Sequence, residues 1–275
     1  MQSADTCSPD SGQDRSEAGR VRCRRDGGLA RVVLSHPGRM NAITVAMWRE
    51  LTAVFEQLAA DDTVRCVVIG GEGGHFAAGA DIREFPHWRA DGAGVMHYHR
   101  QILAPALRAI ERCPHPVVAR IDGVCVGGGL EIASLCDLRI AGRSARLGVP
   151  INRLGFPMAP DEMAGLLRLA GRATAMELLL EGRILDAAQA RDKGLLNRVV
   201  DDAGLDEEVR CCTQRIMAGA PLAARLNKRI AARLSTGEPL REDEYQAFFS
   251  YAESRDHREG VRAFLAGEAP TFTGD

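Results

Sequence analysis

A chain of 275 residues with 45% hydrophobic content is long enough to bury a large core. Its formal charge of −2, from 35 basic and 37 acidic side chains, lacks the strong basic excess of a nucleic-acid-binding surface. No apolar run reaches the roughly 18–20 residues of a membrane span, and the N-terminus has no apolar signal core, so a soluble, cytoplasmic protein with neither membrane nor nucleic-acid partners is expected.

Residues 1–19, rich in Ser, Asp, Gly and Gln, read as a disordered tail. The runs 20–25 and 29–35 flank Asp26-Gly27-Gly28 and predict a β-hairpin. Val45, Trp48, Leu51, Val54, Phe55 and Leu58 recur at helical spacing behind Thr44, a candidate N-cap, and predict a helix over 44–60. Val64–Gly70 is a buried strand by its apolar run, and the glycine-rich stretch 70–74 follows it. A second helix fits 93–112, Pro114 and Pro116 punctuate the chain, and Val117–Ile121 is another apolar strand. Gly127-Gly128-Gly129 then leads into the helical pattern 130–135. Beyond residue 160 the pattern is helical, over 161–170, 172–182, 203–218, 221–234 and 238–265. Alternating apolar strands and helices imply an α/β fold with strands buried on both faces. The eight cysteines form no C-x-x-C pair, and several lie in apolar runs such as Cys66-Val67-Val68-Ile69, so they read as buried thiols rather than disulfides or metal ligands.

Two segments share one design, an apolar strand followed by a glycine-rich turn and a helix start. The first runs through Phe76-Ala77-Ala78-Gly79-Ala80-Asp81-Ile82-Arg83-Glu84, the second through Asp122-Gly123-Val124-Cys125-Val126-Gly127-Gly128-Gly129-Leu130-Glu131. Small residues let a ligand approach the backbone, and N–H groups at a helix start have no intrahelical acceptor, so two such turns can donate to one oxygen. The same glycines would also serve tight turns and close packing. Neither the phosphate-loop pattern G-x-x-x-x-G-K-[ST] nor the dinucleotide pattern G-x-G-x-x-G is present.

Read whole, these two motifs resemble the paired oxyanion-hole motifs of the crotonase (enoyl-CoA hydratase/isomerase) superfamily, in the same order and separation. The resemblance continues through Cys136–Ala141, Gly171–Ala173, Glu181–Ile184 and Ala187–Val200 and spans about residues 20–265. It implies a spiral of ββα turns over 20–200 that binds coenzyme A. A helical region over 201–275 would assemble a homotrimer or homohexamer. It also implies an acyl-CoA thioester as substrate, with the backbone N–H groups of Ala80 and Gly128 on the thioester oxygen. Ala78, Asp81 and Ile82 would lie along the CoA path, and Phe264 would approach the CoA-binding region. No redox cofactor or metal is indicated, coenzyme A entering only as part of the substrate.

Fixed donors on the carbonyl oxygen stabilise the enolate that forms when water is added to an enoyl-CoA or a proton is moved along it. The acids and bases above the Cα–Cβ region then decide the reaction. Hydratases of this superfamily use two glutamates. The first is Glu131 here, although a glutamate about three residues into a helix also suits a capping box. The second falls on Ile151, which transfers no proton, and the glycine-rich run beyond it is replaced by Met158-Ala159-Pro160-Asp161-Glu162. Glu131 alone would serve an isomerase. Asp161 or Glu162 are second candidates for the missing role, although acids there also suit a helix N-terminus. A thioester hydrolase and a catalytically silent CoA-binding subunit are the remaining readings. A serine hydrolase is disfavoured because no G-x-S-x-G turn is present. His97 and His99, two apart on a helix, are poorly placed to chelate together, although one of them could line the acyl pocket.

Overall fold

The computed structural model describes residues 18–275, so the tail expected over 1–19 lies, save its last two residues, outside the described residues. Strands β1 (Arg20–Asp26) and β2 (Leu29–Ser35) form the expected antiparallel hairpin. Helix α1 (Val45–Ala59) starts where Thr44 accepts a bond from the Met47 N–H, and it crosses to β3 (Cys66–Gly71), which pairs in parallel with β2. The short helices α2 (Phe85–Trp88) and α3 (Gly92–His97) follow, then a π turn over Tyr98–Leu103 and α4 (Ala104–Arg112).

The continuous helix expected over 93–112 is therefore interrupted. Pro105 has no N–H to return to the preceding turn, and the Ala104 N–H reaches back five residues to the His99 carbonyl, which widens the turn at Tyr98–Leu103.

Strand β4 (Val117–Ile121) leads through β5 (Val124–Val126) into α5 (Gly128–Ser134). Strands β6 (Leu138–Gly142) and β7 (Arg146–Gly148) precede α6 (Pro160–Glu181), which is broken at Gly171 by a left-handed φ of 72°, as the two separate helical patterns imply. Strand β8 (Ile184–Asp186), α7 (Ala187–Asp192) and β9 (Arg198–Val200) come next, then α8 (Leu205–Ala218) and α9 (Pro221–Leu234). The helix expected over 238–265 is two helices, α10 (Glu242–Phe249) and α11 (Arg255–Ala266), because Ser254 is extended and caps α11 through the His257 N–H. Strands β5 to β9 have only three to five residues each, too few for alternation to announce them.

One six-stranded sheet, in the order β1-β2-β3-β4-β6-β9 and parallel from β2 onward, carries the architecture, and β5, β7 and β8 form a smaller second sheet. The central strands β3 and β4 of the larger sheet are buried on both sides, as their continuous apolar runs require, whereas the edge strand β1 is largely exposed. Val67, Ile69, Val117 and Ala119 face a core with Trp48, Leu51 and Phe55 of α1 and Leu107 and Ile110 of α4. The alternate residues Cys66, Val68 and Val118 pack against Leu205, Val209 and Cys212 of α8. Helix α8 thus covers one face of the sheet. Five of the seven described cysteines are buried free thiols, and burial pushes Cys66 and Cys136 up to about 12, which makes both inert.

Because β3 and β4 are parallel neighbours, the chain leaves both at the same edge, where α/β sheets place their ligands. Asn41 fixes the first of the emerging loops. Buried and left-handed at φ 57°, it donates to the Glu72 and His75 carbonyls at 2.8 and 2.7 Å and accepts from the His36 N–H at 3.0 Å. Asn41→Ala orphans these buried groups and is expected to destabilise by at least about 2 kcal/mol. Chemical denaturation would show this as a lower midpoint at constant slope. A loss below about 0.5 kcal/mol would mean that the loop holds itself.

Candidate active site

The two glycine-rich turns are tied to each other. Phe76 and Ala77 donate to the Val124 carbonyl at 3.0 Å each, and Val126 donates back to Ala77 at 3.0 Å. Gly129 has no room for a side chain, since a Cβ there would stand 2.5 Å from the Ala77 carbonyl oxygen. On the far side of the first turn, Gly79 accepts from Ile43 at 2.7 Å and Asp81 donates to Ile43 at 2.9 Å. Bonds from the residues on either side of Ala80 to Ile43 turn the N–H of Ala80 itself the opposite way, toward a cavity that Ala80 lines.

Gly127, in a conformation open to glycine (φ 49°, ψ −124°), ends the second turn so that the Gly128 N–H is the first of α5. Neither the Ala80 nor the Gly128 N–H donates to any group among the described residues. They lie close together: a Cβ on Gly128 would stand 3.5 Å from the Ala80 nitrogen. Two unpaired N–H groups on one cavity wall can bind one oxygen.

Glu131 projects from α5 into the same cavity and is 6% exposed. It is not a cap. The Gly127 N–H that a capping glutamate would take donates to the Gly148 carbonyl at 2.9 Å, and the Glu131 carboxyl forms no hydrogen bond or ion pair among the described residues. Burial first, and then the neighbouring Glu162 carboxylate, push its proton affinity well above that of an ordinary glutamate, against a smaller opposing pull from Arg89.

Glu162 reaches the cavity from the first turn of α6, where it is also 6% exposed, and the His99 Nδ1 lies 2.5 Å from its Oε1. The π turn carries His99 to this contact, while His97 stacks on Trp88, so the two histidines diverge as their spacing implies. Ile151 stands on the same wall as an apolar residue. Gly165, one turn after Glu162, lets α6 approach α5, where its Cβ would come within 2.8 Å of Leu135.

The sequence profile of the enoyl-CoA hydratase/isomerase family matches residues 24–275. The chain belongs to this family. A 1,2-epoxyphenylacetyl-CoA isomerase of Escherichia coli is 34% identical over 257 residues, covering 90% of this chain and 95% of the relative. A protein of Arabidopsis thaliana named "Probable enoyl-CoA hydratase 2, mitochondrial" is 33% identical over 256 residues, covering 91% and 83%. Among solved structures, an enoyl-CoA hydratase/carnithine racemase from Magnetospirillum magneticum superposes with a TM-score of 0.91 at 44% identity, covering 93% of this chain and 96% of that one. The α/β architecture with its parallel sheet is that of this enoyl-CoA hydratase/isomerase family.

Of the residues singled out in the sequence of this family member, the cavity gathers Ala78, Ala80, Ile82, Gly128, Glu131 and Glu162. His99 and Ile151 line it as well, whereas Asp161, Asp81 and Phe264 do not. Asp161 is exposed and faces Arg108 at 3.8 Å, which suits a helix N-terminus. Asp81 is buried, and bonds from Arg83, its main influence, hold its carboxyl below the usual range. Phe264 stands 85% exposed on α11 beside Val261 and Leu265. Phe85 and Tyr98 also line the cavity, together with Arg89 and Phe156, which the sequence reading did not single out. A lone arginine inside the aromatic run Phe85-Pro86-His87-Trp88-Arg89 was the available signal. No group of three or more His, Cys, Asp or Glu among the described residues is placed to hold a metal ion, and no described helix is long and apolar enough to cross a membrane.

The elevated proton affinity of Glu131 has a sign. The folded state holds this proton more tightly than an unfolded glutamate, which titrates near 4.5, so the stability involved is present below that pH and is lost as pH rises through the folded value. Glu131→Gln, which never ionises, is expected to gain in Tm relative to the parent between pH 5 and pH 8. A difference independent of pH would mean that Glu131 ionises as it does in water.

Proposed function

We propose that this family member adds water across the double bond of a 2-enoyl-CoA, using Glu131 and Glu162 as its acid and base. The observation that carries the reading is that two buried carboxylates line one cavity beside two unpaired backbone N–H groups, although Ile151 occupies the position where the family resemblance implies the second glutamate. Glu162 supplies from α6 the proton-transferring group that Ile151 lacks.

In this mechanism the thioester oxygen accepts from the Ala80 and Gly128 N–H groups, which polarise the conjugated system and stabilise the enolate; each such donor lowers the barrier by about 3 kcal/mol. Glu162, paired with His99, takes a proton from water as its oxygen bonds to Cβ. Glu131, kept protonated by burial and by its neighbour, delivers its proton to Cα as the enolate collapses. The cycle leaves one proton on Glu162 and a vacancy on Glu131, which solvent exchange resets. Burial makes Glu131 the acid, and the His99 contact makes Glu162 the base. Ala78 and Ile82 flank the thioester's path along the first turn. The apolar surface of Phe264, Leu265 and Val261 packs against further copies of the chain in a homotrimer or homohexamer, and light scattering is expected to give the mass of three or six chains.

Incubation with crotonyl-CoA is expected to yield a product heavier by one water, and Glu131→Gln and Glu162→Gln are each expected to lower kcat by about 10²–10⁴-fold. Migration of the double bond in a 3-enoyl-CoA without mass change, insensitive to Glu162→Gln, would replace hydration by a one-base isomerisation. Turnover untouched by Glu131→Gln would overturn both.

A further inference from the structure

Arg89 is held in the cavity wall in an unusual way. It follows α2, and its guanidinium carbon lies 4.1 Å from the Phe85 ring centre and 4.2 Å from that of Phe156, which arrives from the segment before α6. The Tyr98 ring is 5.6 Å away. Aromatic faces attract the cation and fix its plane, but they accept none of its five N–H bonds, which point outward in that plane. No hydrogen bond or ion pair to the Arg89 side chain forms among the described residues.

The two carboxylates of the cavity do not take up this cation. Glu162 is committed to His99. Glu131 forms no ion pair, and burial raises its proton affinity well above that of an ordinary glutamate. Neither carboxylate is within ion-pair reach of the guanidinium, although both attract it from a distance. Burial already works against the charge on Arg89, so it persists at a cost that a bound anion would offset. A planar, pre-oriented guanidinium with a free edge is the partner that a carboxylate binds in bidentate fashion.

We propose that the acyl group of the substrate ends in a carboxylate and that Arg89 receives it, making the natural substrate a dicarboxylic enoyl-CoA. The proposal rests on the acyl-CoA reading above and deepens it. Phe85 and Phe156 act as positioning residues that hold the guanidinium, and the apolar wall at Ile151, Leu154 and Leu103 accommodates the carbons between the thioester and the distal carboxylate.

The test compares two esters of equal length, glutaconyl-CoA and pent-2-enoyl-CoA, which differ only in a terminal carboxylate or methyl group. The parent protein is expected to favour glutaconyl-CoA in kcat/KM. Arg89→Gln is expected to lower the ratio of the two kcat/KM values by about 10- to 100-fold, with Arg89→Lys recovering part of it. An unchanged ratio, or a parent that prefers the methyl-ended ester, would overturn the proposal. Calorimetric binding of the unreactive pair glutaryl-CoA and pentanoyl-CoA keeps the two readings separable. If both enoyl esters fail to react, the proposed function falls, while a preference for glutaryl-CoA lost in Arg89→Gln still upholds the anion site, and equal binding of the pair sinks it.

Discussion

The structure depends on the hydrogen bonding that joins the turn after β3 to the turn after β4. Parallel strands deliver both turns to one edge of the sheet, but parallel pairing ends there and would leave two loose, glycine-rich loops. The exchange between Ala77 and the Val124–Val126 segment continues the pairing beyond the sheet, and the Ile43 contacts clamp the first turn from its other side. The neighbouring Ala78, Asp81 and Gly127 N–H groups are taken by Met40, Ile43 and Gly148, whereas the Ala80 and Gly128 N–H groups are left without partners among the described residues at a place the fold has made rigid. Donors fixed before a charge develops need no reorganisation when it does, and this is the condition under which backbone dipoles are effective.

The electrostatics of the cavity follow from the same rigidity. Two buried carboxylates line one cavity in unequal surroundings, and burial together with its neighbour raises the proton affinity of Glu131. Glu162 has His99 as its partner, whereas Glu131 has no hydrogen-bond partner, a like-charged neighbour and only the weaker pull of Arg89. Unequal environments around a pair of similar groups separate an acid from a base without requiring different residue types. Arg89, held between rings on the same wall, pairs with neither glutamate.

Much of this was legible in the sequence because it depends on local rules. Thr44 announced its helix, Asp26-Gly27-Gly28 its hairpin, and the two glycine-rich segments their turns; the whole motifs carried the family. Glu131 was legible as well, although only the structure removed the capping reading, by showing the Gly127 N–H engaged with Gly148. What could not be read was where distant segments meet. Glu162 stood level with Asp161 as a candidate, since both are acids at a helix start, and their different fates follow from the direction in which α6 enters: Asp161 faces solvent and Arg108, and Glu162 faces inward. The π turn, set by Pro105, and the clamp on Arg89 by rings 71 positions apart in sequence are likewise tertiary facts.

The break at Gly171 gives the arrangement of α6 a mechanical meaning. Glu131 sits on α5, which the sheet edge locks in place, but Glu162 rides on the segment 160–170, a short lever that ends at the left-handed glycine and touches α5 closely at Gly165. The distance between Glu131 and Glu162 therefore depends on how this segment packs on α5 at Gly165 as well as on the sheet edge. A substitution that changes the close contact between Gly165 and Leu135 would move Glu162 relative to Glu131 while leaving the turns that carry Ala80 and Gly128 untouched.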